Sequence, residues 1–135
     1  MILDTSAVVA ILAGEPDAAR FAHCIELDPA PRIGAPAMLE AAMVLTRSFG
    51  DDAHAALDAF VRESGAEIVA FDLAQLRAAQ AAYLRFGKGR HPAGLNFGDC
   101  MSYALARVCD EELLFKGEDF SQTDIKAANV PMSPP

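Results

Sequence analysis

The chain has 135 residues, of which 53% are hydrophobic and 22% are charged, so it suits one domain with a sizeable core and is not a disordered chain. Its formal net charge of −8 argues against nucleic-acid binding through a general basic excess. Carboxylates that hold cations and a local basic patch are the two features that could reconcile this charge with such binding.

The hydrophobic pattern of the first half predicts strands that alternate with helices. A buried strand over 1–3 ends at Asp4, and Thr5 or Ser6 can cap the helix behind it. Pro16 is expected to begin a second helix. A strand at 32–35 is expected next, followed by helices at 37–49 and 51–64. A strand at 67–71 then precedes a helix at 72–86, which an aspartate caps.

The last third begins with an irregular loop at 87–98, rich in glycine and basic residues. A helix at 99–109, a strand at 112–115 and a short edge strand at 125–128 are expected to follow. This alternation predicts a single-domain α/β fold, a three-layer α/β/α sandwich with a mainly parallel central sheet. We expect the domain to span 1–130 and the segment 131–135 to be a loose tail. Ligands of such folds bind at the carboxyl ends of the strands.

Three carboxylates are isolated in apolar surroundings. Asp4 is the only charged side chain between Met1 and Gly14, and Glu40 and Asp99 are similarly alone in their segments. A lone carboxylate in apolar surroundings is unfavourable unless something compensates its charge. Mg²⁺ and Mn²⁺ prefer carboxylate oxygens, so a shared divalent cation is the natural compensator for the three.

Each acid also has a structural interpretation. Asp4 and Asp99 could cap the helices that follow them, and Glu40 could lie on the rim of a partly exposed helix. Asp119 is a candidate fourth ligand, but it lies in a polar stretch, 116–124, where two other acids compete for the role.

Four further residues could contact a substrate phosphate. The loop that contains Lys88 and Arg90 is basic and has no acid, although a solvated loop is an alternative interpretation. Lys116 follows the last predicted strand. The Ser6 hydroxyl, two residues after Asp4, could reach a metal or a phosphate, or could simply cap a helix.

Four segments of the chain, taken in order, resemble a known family. They read MILDTSAVVAIL, AMLEAAMVL, LNFGDCMSYALA and LLFKGEDF, and they resemble the PIN-domain ribonucleases of the VapC toxin type. The resemblance implies a PIN-like α/β/α sandwich, dependence on Mg²⁺ or Mn²⁺, and hydrolysis of phosphodiester bonds in single-stranded RNA. It also implies a homodimer and inhibition by an antitoxin encoded by the neighbouring gene.

By the same resemblance, Asp4, Glu40, Asp99 and Asp119 match the catalytic and metal-binding acids of the family. Ser6 matches its small hydroxyl residue. The expected activity is that of a metal-dependent endoribonuclease, in which the cation activates water and neutralises charge on the phosphate.

Two other classes of protein combine acids with Mg²⁺ on a parallel sheet. A phosphatase with an aspartyl nucleophile at Asp4 would want a second acid at the position of Ser6. A phosphoacceptor signalling module would end its third strand in an aspartate, but that strand is expected to end at Phe71, with Asp72 better interpreted as a cap.

The location of the protein is predicted from what the sequence lacks. The three cysteines have no C-x-x-C pair, which fits a reducing compartment and small core residues. The N-terminal segment has no basic region before its apolar stretch, and no apolar stretch is long enough to span a membrane. We therefore expect a cytoplasmic protein with no membrane partner.

Overall fold

A computed structural model of the protein describes residues 1–132. Four strands form one sheet in the order β3-β2-β1-β4, and every neighbouring pair is parallel. The strands are β1 (Ile2–Leu3), β2 (Arg32–Gly34), β3 (Glu67–Val69) and β4 (Leu113–Leu114). Because all the strands are parallel, their carboxyl ends meet at one edge of the sheet.

Six α-helices connect the strands. They are α1 (Thr5–Leu12), α2 (Ala18–Leu27), α3 (Ala35–Phe49), α4 (Asp52–Ser64), α5 (Leu73–Phe86) and α6 (Phe97–Cys109). A single turn of 3-10 helix, Phe120–Gln122, follows β4. This arrangement confirms the predicted fold class, an α/β sandwich with a parallel sheet.

The sheet separates two apolar layers, because successive strand residues face opposite sides. Leu3 and Ile33 pack with side chains of α1 to α4, whereas Ile2 and Leu113 pack with those of α5 and α6. All four are fully buried. Burial of each such side chain contributes about 1.5–3 kcal/mol, so the central strands are firmly held from both sides.

The helix ends differ from the sequence expectation at two positions that matter for the site. Asp4 itself caps α1, in place of Thr5 or Ser6. Helix α6 begins at Phe97, two residues earlier than expected, because the Asn96 side chain accepts a hydrogen bond from the backbone N–H of Asp99. Asp99 therefore lies in the third helical position of a capping box rather than at the cap.

Three smaller expectations also need correction or fall outside the structure. Helix α2 begins at Ala18, after Asp17, rather than at Pro16. The expected edge strand at 125–128 is reduced to one bridge between Leu113 and Ala127. Of the predicted loose tail, residues 133–135 lie outside the described residues. No helix within 1–132 is long and apolar enough to cross a membrane.

Candidate active site

Asp4 lies at the carboxyl end of β1, where it continues the sheet by one backbone hydrogen bond. Its N–H donates to the carbonyl of Leu114 at 2.9 Å, and the residue is only 4% exposed. Its side-chain Oδ2 accepts hydrogen bonds from the backbone N–H of Ser6 at 3.0 Å and from the Ser6 hydroxyl at 2.6 Å. The carboxylate is therefore held in place by two local hydrogen bonds.

The two residues after Asp4 attach it to two other segments. The buried Thr5 hydroxyl donates to the carbonyl of Ala37 in the first turns of α3, at 3.1 Å. The Ser6 hydroxyl accepts a hydrogen bond from the backbone N–H of Lys116, at 2.9 Å. Residues 4–6 thus hold α3 and the segment after β4 close to Asp4.

Asp99 is the acid on which the charges of the other three predicted ligands act, and the four together are called the acidic cluster here: Asp4, Glu40, Asp99 and Asp119. Burial raises the pKa of its carboxyl group to about 6, against the opposing effect of a hydrogen bond from the backbone N–H of Asn96. The negative charges of Asp4, Asp119 and Glu40 raise it further. The structure therefore brings all four predicted acids close enough for their charges to interact.

Glu40 reaches this cluster from α3, on the second turn of the helix. Its carboxylate packs against the backbone of Gly98, in the first turn of α6 and next to Asp99. Gly98 was not among the residues predicted from the sequence. The predicted helix began at Asp99, so Gly98 fell at the end of the predicted glycine-rich loop, where one more glycine gives no signal of a packing role.

Asp119 and two neighbouring acids are candidates for the fourth ligand, and the three differ in their contacts. The carboxylates of Glu118 and Asp124 both accept hydrogen bonds from side-chain hydroxyl groups, at 3.2 Å and 2.6 Å. The donors are Ser121 for Glu118 and Tyr103 for Asp124. Asp119 is exposed and precedes the buried Phe120, and its charge contributes to the raised pKa of Asp99.

Lys116 has acidic partners of its own. Its Nζ lies 2.7 Å from Oε2 of Glu15 and 3.6 Å from Oδ2 of Asp17, both in the segment between α1 and α2. Hydrogen bonding to Glu15 raises the pKa of the Lys116 amine. A phosphate would have to compete with these acids for the ammonium group, and the predicted substrate role of Lys116 stays a prediction.

The loop between α5 and α6 carries Lys88 and Arg90, which are both exposed. Arg90 also has a structural contact, since its Nε donates to the carbonyl of Leu84 in the last turn of α5 at 3.1 Å. Within residues 1–132, no acidic side chain forms an ion pair with Lys88. Lys88 is thus the residue of this loop that is best suited to a test of phosphate binding.

The donor chemistry of the acidic cluster fits a hard divalent cation. Its four acids offer only carboxylate oxygens, and Oδ1 of Asp4 and of Asp99 accepts no hydrogen bond from residues 1–132. As the side chains are placed, no three His, Cys, Asp or Glu residues of that range lie close enough to hold one ion together. Ligation would therefore use side-chain rotation or bridging water, and Mg²⁺ usually retains several waters in proteins.

The structure also bears on the two alternative classes of protein. A hydroxyl group rather than a second acid stands two residues after Asp4. This hydroxyl forms hydrogen bonds with the Asp4 carboxylate and the backbone N–H of Lys116. The third strand ends at Val69 rather than at the expected Phe71, and Asp72 beyond it caps α5 by accepting a hydrogen bond from the N–H of Gln75 at 2.9 Å. Neither position has the arrangement that a phosphatase or a phosphoacceptor module requires.

Comparison with known proteins identifies the class to which this fold and cluster belong. The family model of the PIN domain matches residues 1–126, so the chain belongs to the PIN-domain family. A VapC ribonuclease of Mycobacterium bovis is 46% identical over 131 residues, which cover 97% of this chain and 100% of the relative. Ribonuclease VapC of Mycolicibacterium smegmatis is 46% identical over 129 residues, which cover 96% of this chain and 100% of the relative. Within the PIN-domain family, the chain is therefore a VapC-type ribonuclease, as its motifs indicated.

Two solved structures share the fold at low sequence identity. The crystal structure of Mycobacterium tuberculosis VapC20, a toxin that cleaves the sarcin-ricin loop, superposes with a TM-score of 0.78 at 20% identity, over 96% of this chain and 98% of that one. A chain of a toxin–antitoxin complex from Klebsiella pneumoniae superposes with a TM-score of 0.68 at 17% identity, over 91% of this chain and 92% of that one. These two matches support the architecture described above.

Proposed function

We propose that this protein is the toxin of a toxin–antitoxin pair and that it hydrolyses phosphodiester bonds of single-stranded RNA. Asp4, Glu40, Asp99 and Asp119 would form the catalytic centre and would hold Mg²⁺ or Mn²⁺. The observation that supports this most strongly is the convergence of four acids from separate segments, which helps to raise the pKa of Asp99 to about 6. Such mutual repulsion is unfavourable in a merely structural site.

A bound divalent cation would supply a water of lowered pKa and would stabilise the charge that develops on the phosphate. The protein supplies orientation. Ser6 holds Oδ2 of Asp4, and the backbone N–H of Asn96 holds Oδ2 of Asp99, so each acid keeps Oδ1 available. Asp4 and Asp99 are thus held in place before a cation binds, which limits the reorganisation that ligation would require of these two acids.

RNA would approach this acidic centre along its basic surroundings. Lys88 and Arg90 lie in the loop that leads into α6, whose first turn carries Asp99. Phosphate contacts from these side chains would hold the RNA backbone without reading its sequence. The net charge of −8 gives this local basic loop its importance in the proposal, since the chain as a whole repels RNA.

The proposed partners are a second copy of the chain and an antitoxin from the neighbouring gene, and the proposed location of the protein is the cytoplasm. The Klebsiella pneumoniae structure that shares this fold is a toxin–antitoxin complex, which supports a partner of that kind. An antitoxin arginine that reaches the four carboxylates would form charge-assisted hydrogen bonds and would exclude RNA from the centre. Light scattering of the purified protein would measure its assembly state.

The direct experiment incubates the purified protein with labelled single-stranded RNA in Mg²⁺, Mn²⁺ or EDTA. We expect cleavage with either cation and none in EDTA. Asp99→Asn should lower the rate by several orders of magnitude because it removes an anionic ligand at nearly constant shape, whereas Asp58→Asn, at an exposed acid of α4, should not. Full activity in EDTA, or equal loss in both variants, would contradict the proposed centre.

A further inference from the structure

One contact within the acidic cluster depends on the absence of a side chain. A Cβ atom placed on Gly98 would clash with Oε2 of Glu40 and would lie 2.6 Å from its Oε1 and 2.7 Å from its Cδ. The three nearest atoms all belong to the Glu40 carboxylate. The space that a side chain of residue 98 would fill is therefore occupied by the functional group of Glu40.

The backbone of Gly98 gives no other reason for glycine at this position. Gly98 is the second residue of α6, and it is not among the glycines with a positive φ angle. Within a helix, glycine is less favourable than alanine. The sequence thus retains a locally unfavourable residue where a neighbouring acid needs the room.

We propose that Gly98 is a positioning residue, which holds the Glu40 carboxylate against the first turn of α6, beside Asp99. The inference rests on the proposed function, because it makes Glu40 a working member of the acidic centre. Glu40 is attached to α3, whereas Asp99 belongs to α6. The close approach at Gly98 is what lets one long side chain bridge the gap between these two helices.

Gly98→Ala is expected to lower the activity of the protein without lowering its stability. The atoms that the new methyl group meets are the far end of a flexible side chain, so Glu40 can rotate away and the fold should remain intact. The melting temperature should be unchanged or higher, because alanine favours the helix. The value of kcat for RNA cleavage should fall by about 100-fold, as a small misplacement of a catalytic group does. The rise in melting temperature on adding Mn²⁺ should shrink as well.

A second substitution that restores part of the activity would distinguish a positioning role of Gly98 from a general structural effect. In a Gly98→Ala background, Glu40→Asp shortens the acid by one methylene and leaves room for the new methyl group. The double variant should therefore cleave RNA faster than Gly98→Ala alone, even though Glu40→Asp by itself is slower than the wild type. Losses that simply multiply in the double variant would overturn the proposal, as would a Gly98→Ala protein with wild-type kcat and a full Mn²⁺ response.

A stability measurement tests the contact without any activity. Gly98→Ala should raise the melting temperature more in a Glu40→Ala background than in the wild type, because no carboxylate then has to move. Equal shifts in the two backgrounds would overturn the proposal. If the wild-type protein fails to cleave RNA and does not respond to Mn²⁺, the proposed function is refuted, and this stability comparison still decides whether Gly98 positions Glu40.

Discussion

At the scale of single residues, Asp99 has a measurable consequence for stability. Its pKa of about 6 in the folded protein lies above the ordinary value of 3.8, so the folded state holds this proton more tightly than the unfolded chain does. The stability that protonation provides is fully present below pH 3.8 and is lost as the pH rises through about 6. Ionised Asp99 therefore destabilises the metal-free protein at neutral pH.

The free energy of unfolding of Asp99→Asn should therefore differ from that of the wild type in a way that depends on pH. Without metal, Asp99→Asn should gain stability relative to the wild type as the pH rises from 3.8 to about 6, and should keep that advantage at pH 7. Other acids, such as Asp28 and Asp124, have lowered pKa values and make both proteins less stable in acid, so only the difference is informative. Chemical denaturation at several pH values measures it, and a constant difference would contradict the raised pKa.

Ser6 is predicted to act on Asp4 rather than on the substrate. Ser6→Ala removes the hydrogen bond to Oδ2 of Asp4 and leaves the backbone N–H of Lys116 without its acceptor. We expect a loss of about 1–2 kcal/mol in the free energy of unfolding and a lower kcat with little change in KM. Steady-state kinetics and urea denaturation of the same preparation check both. A large rise in KM at unchanged kcat would instead indicate direct contact with RNA.

The sequence revealed the acids but not the contacts that position them. Asp4, Glu40 and Asp99 could be recognised because each is the only charge in an apolar segment. The contacts of Thr5 with Ala37 and of Gly98 with Glu40 join residues that are distant in the chain. Hydrophobic periodicity describes one element at a time, so it contains no information on which turns of two helices will touch.

At the scale of elements, the loop between α5 and α6 is expected to contribute to the salt dependence of RNA binding. Lys88→Ala should weaken RNA binding and flatten its dependence on salt, by a slope of about 0.7 per lost phosphate contact with a single strand. The rate at saturating RNA should stay the same. Lys88 is preferable to Arg90 as a target, because Arg90 also holds the end of α5.

The matched control for this loop is Arg62→Ala. Arg62 is exposed in the last turn of α4, just before β3 begins, and therefore lies toward the edge of the sheet opposite to the acids. Titrations of RNA at several salt concentrations should give Arg62→Ala the wild-type slope. Equal slopes for the wild type and both variants would mean that the loop is only a solvated connection.

Two different signals predicted the strands and the helices. The strands were short apolar runs, whereas the apolar residues of the longer helices repeat with the period of a buried face. The start of α6 was misplaced because Asn96 and Asp99 satisfy each other's backbone N–H groups, a reciprocal contact that extends the helix by two residues. The segment around Ala127 makes one bridge, and its few apolar residues could not show how short the pairing is.

At the scale of the whole molecule, the acidic centre should link cation binding to global stability. A ligand that binds only the folded state at a hundredfold excess over its dissociation constant adds about 2.7 kcal/mol. For a domain of this size, each kcal/mol raises the melting temperature by roughly 2–6 °C. Millimolar Mn²⁺ should therefore raise it measurably in a thermal scan. Asp99→Asn should lose most of that rise, and a variant that keeps the full rise would show that Asp99 is not a ligand.

The order of the strands also determines how late in translation the four acids can come together. Strand β1 lies in the middle of the sheet, yet one of its two neighbours, β4, is formed only by residues 113–114. The pairing of Ile2 with Leu113 is a contact of very high sequence separation, and such contacts form late and slowly. Asp4 and Asp119 therefore cannot meet on a nascent chain until residue 119 has been synthesised and β4 has paired with β1. Translation itself thus delays the assembly of the proposed active centre long after its first acid has left the ribosome.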